Sequence, residues 1–146
     1  MKLKDWIMHL IYSVLILFII LLKGYVGDLL SANFKQEFRV NYFYLLLSIL
    51  VGICLGLVLG IEHLIRETRK AGKWRINLPK LLLIGFPSLY CSLSLVFFYS
   101  GVDFLQNIIA YPLLYFYRYI SNCIPLFELI LGYVVITSFY KYNENG

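Results

Sequence analysis

The sequence predicts an all-α integral membrane protein, a bundle of four transmembrane helices with short interfacial helices on the outer side. Three observations predict it. Hydrophobic residues make up 61% of the 146 and charged residues only 14%, where a water-soluble domain carries about a quarter charged. Four apolar stretches approach or exceed the length that crosses a bilayer. The whole excess of basic over acidic residues falls in one short loop between two of these stretches, the distribution that fixes orientation in a membrane.

The first stretch, residues 6–22, follows Lys2 and Lys4. A basic start and an apolar middle also suit a signal peptide, but Lys23-Gly24-Tyr25 stands where a small-x-small cleavage site would be, so an uncleaved span is expected. An outer segment, residues 23–41, comes next. Within it Leu30, Phe34 and Phe38 recur every four residues beside Lys35, Glu37 and Arg39, the narrow apolar stripe of a short helix lying on the membrane.

The second span, residues 42–65, carries Ser48, Gly52, Gly56 and Gly60 at spacings of four. In a helix these small side chains form one stripe, and lipid-embedded helices associate where missing side chains let backbones approach. The third span, residues 78–100, has a comparable face in Gly85, Ser88 and Ser92, and Pro87 should kink it. As the second and third spans form a hairpin, these two faces are expected to meet, while contact with a second copy of the chain is the equal alternative for the glycine stripe.

An outer segment of residues 101–121 precedes the last span, residues 122–140. Residues 103–120 are apolar enough to be a fifth span, but Gln106, Asn107, Pro112, Arg118 and four tyrosines better suit an interface. At ~1.5 Å per residue, spans of seventeen to twenty-four residues measure roughly 26 to 36 Å, bracketing a ~30 Å hydrocarbon core.

The loop of residues 66–77, extended to Lys80, holds Arg66, Arg69, Lys70, Lys73, Arg75 and Lys80 against Glu67, and so carries the chain's net charge of +5. With this loop in the cytoplasm and four spans, both termini are inside. Nine basic residues then lie inside and four outside, namely Lys23, Lys35, Arg39 and Arg118. Trp6 and Trp74 fall at the inner boundary, and Tyr25, Tyr42, Tyr44, Tyr99, Tyr111, Tyr115, Tyr117 and Tyr119 gather at the outer one, the headgroup levels such rings prefer. Three alanines among abundant Ile, Leu, Phe, Tyr, Lys and Asn suit an AT-rich genome, so a bacterial inner membrane is the expected home. A basic excess confined to one loop argues against nucleic acid as a partner. It suits anionic lipid, met by the six basic residues with Trp74 sunk to headgroup level.

Chemistry has few candidates. Glu128 lies six residues into the last span with Pro125 and Gly132 on its side of the helix, and a carboxyl there can couple to a proton or cation. His9, Glu62 and His63 cluster near the inner boundary, where capping of span ends is the simpler role. Cys54, Cys91 and Cys123 occupy separate apolar segments with no C-x-x-C pair. No phosphate loop, H-E-x-x-H or G-x-S-x-G motif is present, and neither cofactor nor metal is expected. The sequence thus points to a noncatalytic membrane protein acting by helix association, as an accessory or regulatory subunit or as a homo-oligomer. The alternatives are a small proton- or cation-coupled transporter using Glu128 and, behind it, an enzyme acting on lipid-linked substrates at the outer tyrosine collar.

Overall fold

The structure, a computed structural model, describes residues 3–115 and 123–142. Lys2, Arg118, Tyr117, Tyr119 and the expected start of the last span at Asn122 lie outside the described residues. Among the described residues three helices are long and apolar enough to cross a membrane, and a shorter apolar helix packs with them.

Helix α1 runs unbroken over Leu3–Glu37, 35 residues. The expected division into a span ending at residue 22 and a separate surface helix is therefore absent. No proline interrupts this stretch, and the glycines at 24 and 27 each disfavour the helix by only about 1 kcal/mol, so the stripe Leu30, Phe34, Phe38 continues the same helix. α1 ends where Phe38 adopts φ 50° and donates its N–H to Phe34 O at 2.9 Å, a left-handed cap usually made by glycine.

Helix α2, Tyr42–Thr68, begins at Asn41, whose side chain accepts from the Phe43 N–H. It runs antiparallel to α1: the Tyr12 hydroxyl donates to Val58 O at 2.8 Å near one end, and Lys23 reaches Ser48 near the other. Beyond α2, Gly72 at φ 136° turns the chain into strand β1, Lys73–Ile76.

Helix α3, Leu78–Tyr99, is irregular in two places. Its π-helical turn Leu81–Gly85 ends two residues before Pro87, whose ring denies the ladder one N–H, and a break falls at Leu93. Ser88 donates to Ile84 O and Ser92 to Leu89 O, so both hydroxyls bond carbonyls of their own helix on either side of Pro87.

At Gly101, φ 71°, the chain reverses into helix α4, residues 103–115, which contains a second π-helical turn, Leu105–Ala110. α4 packs back along α3: Gln106 Nε2 donates to Phe98 O at 2.9 Å, the Tyr90 hydroxyl donates to Ile109 O, and Ala110 is buried.

Helix α5, Ile124–Thr137, and strand β2, Phe139–Tyr142, end the described chain. β2 pairs antiparallel with β1, Ile76 opposite Phe139 and Lys73 opposite Tyr142. An all-helical fold leaves this ribbon unforeseen, and the last helix stops at Thr137 instead of reaching residue 140. KWRI and FYKY each mix aromatic and long basic side chains, with Ile76 the one β-branched residue, and suit a short ribbon near the surface, and the ends of α2 and α5 bring them side by side.

α5 lies parallel to α2, with Gly52 against Glu128 and Gly60 against Ile136. It lies antiparallel to α3, with Lys80 bonded to Thr137. The N-terminal part of α1, the β1–β2 ribbon and the end of α5 thus occupy one end of the bundle, and the α1–α2 and α3–α4 turns the other.

Candidate functional site: a charged pair between three helices

The glycine stripe of α2 is filled from within the chain, by α5 and not by the neighbouring α3. A Cβ placed on Gly56 would stand 2.1 Å from Leu129 O, and one on Gly132 2.1 Å from Ile53 O, so the two backbones touch reciprocally. Gly60 meets the end of Ile136, at 2.0 Å for a built Cβ. The face of α3 also turns to α5: Gly85 lies beside Val134, and Ser88 and Ser92 are buried. α5 is therefore the common partner of both small-residue faces.

At Gly52 the missing side chain makes room for a carboxylate. A Cβ there would fall 2.0 Å from Glu128 Oε2. Glu128 is 2% exposed, a depth at which a charge needs a partner. Lys23 supplies it: its Nζ donates to Glu128 Oε2 at 2.5 Å, to Ser48 O at 2.6 Å and to Ser48 Oγ at 2.9 Å. The ammonium has three protons, and these three acceptors use them. One side chain from each of α1, α2 and α5 thus meets at a single level.

Glu128 alone was expected, with no counter-charge, and Lys23 was counted as an outer-loop residue. Ser48 was expected only as a small packing residue and instead gives two oxygens to the ammonium. The signal for the pair lay in position: Lys23 directly follows the first apolar run, and Glu128 lies six residues into the last one from the same side. Opposite charges at matching depth on two helices are candidates for one another.

The pair borders an open cleft of about 330 Å³, whose other walls are mostly apolar and include Gly24, Gly27, Leu45, Leu95 and Pro125. Chemically the arrangement can hold three helices together, and an opening of the pair would expose one acid and one base to that cleft.

At the opposite end the basic loop does not lie free. Lys70 Nζ donates to Glu67 Oε1 at 2.5 Å, and Glu67 Oε2 accepts the Lys141 backbone N–H at 3.1 Å. The Lys70 hydrogen bond first, and then that of the Lys141 backbone, hold the Glu67 carboxyl below its ordinary pKa. Lys141 Nζ donates to Thr68 O and Lys70 O and lies 5.3 Å from the centre of the Trp74 ring. Arg75 stacks over Tyr142 at 4.4 Å, and Lys80 Nζ donates to Thr137 Oγ1 at 2.7 Å. Arg66 and Arg69 are exposed, as is Trp74.

His9 and Glu62 line one cleft beside Tyr12. His63 does not join them, and its Nε2 is buried without a hydrogen-bond partner. Cys54 and Cys91 are free thiols. No protein-family model, no curated protein and no solved structure matches this chain.

Proposed function

We propose that the protein is a noncatalytic, four-span membrane protein that works by association with another membrane protein or with its own copies. The supporting observation is the apolar side of α1. Leu10, Val14, Leu17 and Leu21 follow one another at spacings of four, three and four and are 57–72% exposed, a row on one helix face. The glycine stripe of α2 is occupied by α5, and we assign partner binding to this row of α1.

Depth along the helices supports the membrane placement. Tyr42 to Glu62 in α2, and Lys80 to Tyr99 in α3, each cover ~30 Å, the thickness of the hydrocarbon core. In this frame the tyrosine-bearing turns face outward. Both termini and the basic ribbon face the cytoplasm of a bacterial cell, where Arg66, Arg69 and Trp74 meet anionic lipid.

The test is a triple Leu10→Ala, Leu17→Ala, Leu21→Ala variant purified from native membranes beside the wild type. The expected result is a folded protein that has lost its copurifying partner, or its dimer mass by light scattering. A wild type that purifies alone as a monomer, or a variant that keeps every partner, overturns the reading. The cleft beside Lys23 and Glu128 supports one second reading, a proton- or cation-coupled transporter. Solute or proton flux in vesicles that disappears in Glu128→Gln would establish it in place of association.

A further inference from the structure

Three clefts follow one another along the outward half of α1. The deepest, about 330 Å³, ends at the Lys23–Glu128 pair. The second, about 220 Å³, shares Gly27, Leu30, Leu45 and Leu95 with it. The third, about 270 Å³, shares Phe34, Val40 and Tyr99 with the second and opens beside Arg39 and Tyr42. Together they form a continuous crevice with α1 as one wall. From Lys23 at its deep end to Phe34 near its mouth it follows ~17 Å of helix.

The two ends differ in kind. At the mouth, no carboxylate pairs with Arg39 among the described residues, so a guanidinium is available there for an anion. At the deep end the three protons of Lys23 are already committed to Glu128 and Ser48, so a headgroup finds no donor on that ammonium. Between the ends the walls are chiefly apolar. Gly24 and Gly27 add a separate observation: a Cβ on either would meet no atom within 4 Å. Glycine is unfavourable inside a helix, yet no protein group fills the space these two leave beside the crevice.

We infer that the crevice seats one acyl chain of an anionic phospholipid from the outer leaflet. The Arg39 guanidinium meets its phosphate, and the chain passes Leu30, Leu45 and Leu95 toward the closed ion pair. Arg39 suits this task because its planar fork matches phosphate oxygens. The left-handed backbone at Phe38, φ 50°, is the turn that carries Arg39 and Val40 round to the mouth.

The inference rests on the membrane placement proposed above, and the experiment separates the two. Wild-type protein is reconstituted into vesicles of equal phosphatidylcholine and phosphatidylglycerol. It is floated on a density gradient, then released in mild detergent and weighed by native mass spectrometry. Failure to float with the vesicles would refute the membrane placement. Given flotation, the expected result is one retained phosphatidylglycerol per chain in preference to phosphatidylcholine. Arg39→Gln should lose that preference by about tenfold, the order of one charge-assisted hydrogen bond. Gly27→Leu should retain neither lipid while remaining folded, because its new side chain has open space to enter. Equal retention of both lipids by the wild type, or undiminished retention by Gly27→Leu, overturns the inference.

Discussion

Replacing Gly56 with alanine should destabilise the bundle by about 2 kcal/mol, and the number follows from the contact it breaks. The added Cβ would stand 2.1 Å from Leu129 O and 2.8 Å from Tyr133 N. Ordinary contact begins near 3.4 Å, so α2 and α5 must separate by roughly 1.3 Å. Both obstructing atoms belong to the α5 backbone, so no rotamer change can relieve them. Overpacking of this kind costs up to about 3 kcal/mol. The better helix propensity of alanine returns about 1 kcal/mol, leaving the stated net loss. Gly24→Ala is the matched control: its Cβ meets nothing within 4 Å, so only the propensity gain of about 1 kcal/mol remains. Unfolding in detergent micelles, followed by near-ultraviolet circular dichroism, should place the two variants about 3 kcal/mol apart on opposite sides of the wild type. If Gly56→Ala proves as stable as Gly24→Ala, the backbone contact between α2 and α5 is wrong.

Three further outcomes are expected. Lys23→Met should cost about 3 kcal/mol by leaving the buried Glu128 charge unpaired, and Glu128→Leu less, because Lys23 is half-buried and keeps Ser48 as acceptor, whereas the double variant should return close to wild-type stability; additive losses would show the two are not partners. Because the folded Glu67 carboxyl has a lowered pKa, its stabilising effect is complete above the unfolded pKa and is lost as pH falls through the folded one. The protection factor of the Lys141 amide, whose hydrogen bond Glu67 accepts, should therefore fall on acidification through and below the ordinary carboxylate range once the intrinsic pH dependence of exchange is divided out, and Glu67→Gln should abolish that fall. Phe38→Gly should raise stability by about 1 kcal/mol in the same melts, since glycine adopts the positive φ without steric cost.

The helical architecture was legible because hydropathy and length are local properties. Residues 42–65 and 78–100 are apolar enough to mark two of the three long helices with no knowledge of their neighbours. The end of α1 was not legible, since nothing near Lys23 stops a helix and its true stop is an unusual left-handed phenylalanine. The ribbon depends on residues 73–76 meeting residues 139–142, a pairing decided by where two helices end. Of the site, Ser48, Gly52 and Glu128 were singled out separately. Their convergence required the rotation of three helices, which spacing along any one of them leaves open.

That convergence bears on what the charged pair is for. Gly52, Gly56 and Gly60 present the same small profile every four residues, so this groove of α2 is nearly self-similar under a slide of ~6 Å. Packing against such a groove leaves α5 weakly fixed along its axis. The Lys23, Ser48 and Glu128 cluster exists at one level only, so a slide would strand Glu128 against apolar neighbours. The pair thus specifies register more than it adds stability, the best-attested use of buried ionic groups. In the Lys23→Met, Glu128→Leu double variant, stability should stay near wild type while register is lost. The Ile136 side chain, held against Gly60, should report this as one methyl resonance in the wild type and more than one in the variant. A single unshifted Ile136 resonance in a stable double variant would show that the glycine contacts set the register unaided.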